Sequence, residues 1–210
     1  DFKSEDGVDC RNYGMPDGLP EMKRIFAQML DVASDQIIIG DSSSLNLMYD
    51  TVARAYNHGL LGAKPWSRLE KVKFLCPSPG YDRHFAISQL FGMELITVPM
   101  MDDGPDMDLV EALVRNDEAV KGIWCVPKYS NPTGAIYSDA VVKRLAQMKT
   151  KAEDFLIIWD NAYSVHQFYE ENPLLNIMEE CEKAGNPNRV FIFASTAKIS
   201  FAGAGVAAMA

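Results

Sequence analysis

Residues 189–205 read RVFIFASTAKISFAGAG. Val190–Ala194 is an apolar, β-prone run and reads as a buried strand. It empties into Ser195-Thr196-Ala197-Lys198 and then into the small-residue segment Ala202-Gly203-Ala204-Gly205. A lysine just past the end of a buried strand stands where open α/β sheets place their ligands. The two hydroxyls beside it suit an anion. An amine held in a partly dry site loses its proton near neutral pH and can attack a carbonyl, forming a Schiff base. A solvated loop lysine fits the same residues, so the decision falls to the segments upstream.

Working outward, the same pattern repeats. FLIIW (155–159) is a strand that ends in Asp160-Asn161-Ala162-Tyr163. KGIWCV (121–126) runs into Pro127-Lys128-Tyr129-Ser130-Asn131-Pro132-Thr133-Gly134, and KVKFLC (71–76) into Pro77-Ser78-Pro79-Gly80-Tyr81. Met93–Val98 is a further strand. Ile37–Ile39 is a short buried strand that opens into Gly40-Asp41-Ser42-Ser43-Ser44. Apolar spacing predicts helices over 21–32, 45–57, 107–115 and 138–148, and another carrying Phe85, Ile87, Leu90 and Phe91. Strands alternating with helices, and apolar throughout, predict an α/β fold: three layers, α/β/α, around a mainly parallel sheet. Residues 1–20, rich in glycine and proline, read as an extended arm, and 21–210 as one domain.

The bulk properties narrow the function. A net charge of −9 over 210 residues argues against a nucleic-acid or anionic-membrane surface. No apolar run is long enough to span a bilayer. The four cysteines (Cys10, Cys76, Cys125, Cys181) lack metal-ligand spacing. Cys76 and Cys125 fall in apolar runs as buried free thiols, which suits the cytoplasm. The first residue is not methionine and the last lie in an apolar run resembling a strand, so a piece of a longer protein is expected.

The chemistry gathers after the strands. In a parallel sheet the carboxyl ends share one edge, so the serines, Tyr81, Asn131, Asp160 and Lys198 can converge. A carboxylate behind FLIIW needs a cation or donors to stay ionised. The three histidines have no zinc-like spacing, which leaves a protonated ring nitrogen as one partner. The free N–H groups of a helix following Ser42–Ser44 can cradle phosphate, although one serine can equally serve as a plain N-cap. An amine, a carboxylate, a phosphate cradle and an aromatic face together describe a site for pyridoxal 5′-phosphate.

Six segments in order carry a more specific likeness: Tyr13…Gly18-Leu19-Pro20-Glu21, Asp41–Ser44, Tyr81…His84, Asn131-Pro132-Thr133-Gly134, Asp160-Asn161-Ala162-Tyr163 and Ser195…Lys198. With them the chain resembles the large domain of fold-type I pyridoxal-phosphate-dependent aminotransferases, in particular the aspartate aminotransferase group. The resemblance implies that Lys198 forms the Schiff base and shuttles the proton, and that Asp160 keeps the pyridine nitrogen protonated. It implies that Asn131 and Tyr163 donate to the phenolic oxygen, that Tyr81 stacks on the ring, and that His84 hydrogen-bonds Asp160 from behind. Ser43, Ser44 and Ser195 would bind the phosphate, and Tyr13 would reach the phosphate of a neighbouring subunit in a homodimer. It also suggests a cis Asn131-Pro132 bond.

One departure stands out: relatives carry a phosphate-binding arginine seven or eight residues after the lysine, and this chain has Gly205 and Val206 there. Arg83, Lys128 or a partner subunit are the candidate replacements. The implied reaction is amino transfer from an amino acid, with aspartate the guess, to a 2-oxo acid such as 2-oxoglutarate. β-Elimination on the same scaffold and a non-catalytic sensor domain of a transcription regulator are the alternatives. The small C-terminal domain that fixes the substrate carboxylate in relatives is absent from these residues.

Overall fold

The computed structural model describes residues 2–168 and 172–210. In chain order the elements are α1 (Pro20–Leu30), β1 (Ile38–Ile39), α2 (Ser44–His58), β2 (Lys73–Ser78), α3 (Asp82–Leu90), β3 (Glu94–Met101), β4 (Gly104–Pro105), α4 (Met107–Asn116), β5 (Val120–Cys125), α5 (Asp139–Gln147), β6 (Leu156–Asp160), α6 (Ile177–Lys183), β7 (Val190–Ser195) and β8 (Ala207–Met209). Among the described residues one eight-stranded sheet runs in the order β1-β8-β7-β6-β5-β2-β3-β4. The five strands β7-β6-β5-β2-β3 are mutually parallel. β1, β8 and β4 join antiparallel at the two edges.

Strand alternation sorts the side chains into two cores. On one face Ile123, Cys125, Ile157, Trp159, Ile192 and Ala194 pack under α1, α4, α5 and α6. On the other, Phe74, Cys76, Trp124, Leu156, Ile158 and Phe193 pack under α2 and α3. These are the expected three layers. Gly122 belongs to the middle of the sheet for a steric reason: a Cβ there would stand 2.4 Å from the Phe74 ring. Burial of both faces explains why the central strands read as continuous apolar runs.

Two readings need correction. Ile37–Ile39 is no buried strand of the parallel set: β1 has two residues and pairs antiparallel with β8, and Ile38 is exposed while Ile37 is buried. An edge strand has a partner on one side only, so half its surface stays wet. Nor are the strands apolar throughout, because β3, second from the other edge, buries only Val98 fully. β2 extends two residues further than the apolar run suggests and includes Pro77. Its registered pairs with β5 end at Leu75, so a proline there breaks no bond on that side.

α6 is not among the helices that apolar spacing predicts. Its signal was present: the Asn176 side chain caps the N–H groups of Met178 and Glu179, and Ile177 and Cys181 share the buried face. Cys76, Cys125 and Cys181 are buried free thiols, while Cys10 is exposed. No helix among the described residues is long and apolar enough to cross a membrane.

Candidate active site

Asp160 closes β6 on the same face as Leu156 and Ile158, the face that α3 covers. It is buried. His84 Nε2 lies 2.9 Å from its Oδ2, and its Oδ1 is buried with no partner among the described residues. His84, also buried, stacks on Trp124 with centroids 4.7 Å apart and planes 11° apart. Trp124 in turn donates its indole N–H to Ser88 Oγ at 3.0 Å. Tyr81 meets His84 edge-on, at 5.0 Å and 89°. A carboxylate buried next to one imidazole still lacks a donor for its second oxygen, and such a vacancy is costly unless something fills it.

Lys198 ends a 3-10 turn, Thr196–Lys198, that follows β7 directly. Its Nζ stands 5.0 Å over the ring of Tyr163, three residues beyond Asp160. Burial raises the Tyr163 hydroxyl above the usual tyrosine range, and its electrostatic neighbours Asp160 and Tyr81 add to that, so it remains a phenol that can donate. Ser195 is buried at the last position of β7, on the face that α2 and α3 cover by alternation with Phe193. The turn is shut by Thr196, whose N–H donates to Val206 O at 2.9 Å and whose Oγ1 accepts from Val206 N–H at 3.0 Å.

The α2 N-terminus lies against this turn. Gly205 makes the approach possible, since a Cβ there would be 2.9 Å from Ser42 O and 3.3 Å from Ala197 Cβ. Ser43 is the backbone N-cap of α2, yet its hydroxyl makes no capping bond, and Ser44 is the first helical residue. Asp41 orders the turn ahead of the helix instead: its carboxylate accepts from the Ser42 N–H and from Asn46 Nδ2. Those bonds, Asn46 first, hold the Asp41 carboxyl below its ordinary range.

Asp160, His84, Tyr81, Tyr163, Lys198 and Ser195 thus share the carboxyl edge of the sheet with Ser43 and Ser44. Asn131 is exposed on the loop after β5, and its bond to Pro132 is cis, as is Ser78-Pro79. Tyr13 stands 97% exposed in the arm, away from any contact that would explain an aromatic there. The two candidates for the missing arginine differ. Arg83 is exposed on α3. Lys128 is buried on the opposite face of the sheet, beside Trp159, and donates to Ser164 O. Trp124, Ser88 and His166 carry no motif signal, because their contacts arise only once distant segments meet, and Asp41, although within a quoted segment, is given no role of its own by the sequence.

A family model described as aspartate amino-transferase matches residues 1–210. The chain belongs to this family. An aspartate aminotransferase of Corynebacterium glutamicum is 52% identical over 208 residues, covering 98% of this chain and 48% of that protein. The crystal structure of an aspartate transaminase from the same species superposes with a TM-score of 0.95 at 50% identity, over 100% of this chain and 50% of that one. A 2-aminoadipate transaminase of Thermus thermophilus is 25% identical, over 90% of this chain and 43% of that protein. The chain therefore spans about half the length of the curated relatives it matches. Relatives named for different substrates match the same stretch.

Proposed function

We propose that residues 21–210 form the cofactor-binding part of a pyridoxal-phosphate-dependent aminotransferase, with residues 1–20 as an arm reaching a second subunit. Asp160 carries this reading: one oxygen is held by His84 and the other is buried without a donor. A protonated pyridine nitrogen is a donor of the required charge and size. When bound, the cofactor supplies an electron sink for the electrons released at the substrate Cα.

The chain's own residues do the rest. Lys198 Nζ would hold the cofactor covalently and, once released, take the proton from the amino acid's Cα. The Tyr163 ring below it confines where that amine can swing, and its raised hydroxyl pKa keeps a proton available to donate at neutral pH. His84, fixed between Trp124 and Tyr81, holds the Asp160 carboxyl group in place. Tyr81 offers an aromatic face beside it. Ser43, Ser44 and Ser195, with the α2 amides, would hold the phosphate, and Asn131 would join Tyr163 as a second donor to the cofactor. With glycine in the arginine position, charge for the phosphate falls to the amides and to a partner subunit, whose Tyr13 is suitably exposed.

Aspartate as amino donor and 2-oxoglutarate as acceptor are the proposed substrates, in the cytoplasm, by a homodimer. The relatives' names support the choice. The full-length protein supplied with pyridoxal phosphate should form glutamate and oxaloacetate from that pair. Release of ammonia and pyruvate from β-substituted amino acids, without amino transfer, would favour elimination instead. Cofactor binding with no turnover of any amino acid would favour a sensor.

A further inference from the structure

The turn 161–168 carries Tyr163, yet its packing is thin. Behind it lies a cavity of about 140 Å³ whose walls include Lys128, Trp159, Asn161 and Ser164. Close packing therefore does not fix the turn from that side. Polar contacts do, from two directions.

From the β5 side, the buried amine of Lys128 donates to Ser164 O at 2.9 Å. Lys128 is only 3% exposed, and burial lowers its pKa. The next residue, Tyr129, takes φ +49°, a conformation costly for a tyrosine, and packs edge-on against Phe168 at 4.8 Å. From the β7 side, His166 Nε2 lies 3.3 Å from Lys198 O. A carbonyl only accepts, so Nε2 is the donor, and Nδ1 is buried and unpartnered among the described residues. The same imidazole meets Tyr163 edge-on at 5.4 Å and 79°. One side chain thus touches both the tyrosine and the backbone of the lysine whose amine lies over that tyrosine.

We propose that Lys128 and His166 are positioning residues that clamp the turn 161–168 between the Asn131 loop and the Lys198 turn, fixing Tyr163 relative to Lys198. Neither reaches the reacting atoms. Lys128 ties the strand end that leads to Asn131 to the turn that bears Tyr163, so the two donors assigned to one cofactor oxygen move together. His166 ties that turn to Lys198. Loosening either end lets the Tyr163 hydroxyl drift from the oxygen it stabilises. The cofactor's visible band, whose pH midpoint that donor lowers, then titrates at higher pH.

The spectroscopic part rests on the function proposed above; the exchange part does not. In the full-length protein, Lys128→Met and His166→Phe each remove a donor at nearly constant volume, while Lys128→Arg and His166→Gln keep one within reach. Hydrogen exchange of the cofactor-free protein should quicken about tenfold in peptides covering 161–168 and stay unchanged in β6 and β7. With pyridoxal phosphate bound, the pH midpoint of the visible band should rise by about half a unit or more in Lys128→Met and His166→Phe, and return toward wild type in the Arg and Gln variants.

An unmoved midpoint in both apolar variants overturns the positioning role, even if exchange quickens. Unchanged exchange overturns the clamp itself. If Lys128→Met quickens exchange across the whole sheet, His166→Phe and His166→Gln decide by the same readings. A wild type that binds no pyridoxal phosphate defeats the functional reading and leaves the clamp to be decided by exchange.

Discussion

The two halves of the site are built in opposite ways. Around Asp160 everything is assembled: carboxylate, imidazole, indole and hydroxyl form one buried chain, Asp160–His84–Trp124–Ser88, with stacking and hydrogen bonds at every link. Around Lys198 little is covered. Lys198, Ile199, Ser200 and Phe201 are all exposed, and Gly205 and Val206 stand where relatives carry an arginine. The lesson concerns where each half gets its order. Strands β5 and β6 and helix α3 come from the central sheet and complete their half alone. The Lys198 half sits near the sheet edge and uses only a short turn, a glycine contact and the start of α2.

That contrast can be broken experimentally, beginning with the buried half. Asp160→Asn keeps an oxygen for His84 but removes the negative charge. Transamination should fall by about 100-fold to 1,000-fold, the scale of one lost electrostatic contact in a dry site, with little change in melting temperature. Steady-state kinetics and a thermal melt check this together. A fall in stability as large as the fall in rate would mean that Asp160 is chiefly structural.

In the open half the expected effect is smaller and falls on binding. Gly205→Ala drives a methyl against Ser42 O, 2.9 Å away, so the turn and the α2 start must separate. The cost should be about 1–3 kcal/mol in denaturant unfolding, on the scale of overpacking. Pyridoxal phosphate should also bind more weakly in an absorbance titration. Unchanged affinity would disconnect the cradle from this contact.

The smallest effect concerns Asp41. Its folded pKa is lowered, so its contribution is present above the unfolded carboxyl value and lost as pH falls through the folded one. Asp41→Asn should therefore lose a little stability at neutral pH, and its curve should flatten and converge on the wild type as pH falls below about 4. Chemical denaturation across that range reads it directly.

The contrast also marks what the sequence reveals. FLIIW followed by Asp160 is legible because a strand buried on both faces has to be apolar, and a charge at its end then needs a partner. The partner's partners are not legible. Trp124 and Ser88 stand 36 residues apart and meet because α3 crosses β5, which no local pattern encodes. β8 is hinted at by its apolar run, but its antiparallel return beside β7 and its pairing with β1 depend on how the chain turns after Lys198. The reading of Ile37–Ile39 as buried fails for the same reason. Lys128 was legible as a spare cation and mislocated, because its orientation across the sheet is a tertiary fact.

Lys198 and Asp160 are proposed to hold a pyridoxal cofactor together. The most direct test is to load the full-length protein with pyridoxal phosphate, reduce it with borohydride and map the modified peptide by mass. The account predicts one phosphopyridoxyl group on Lys198, absent from Lys198→Ala. Labelling of another lysine, or none in a folded protein supplied with excess cofactor, would contradict it.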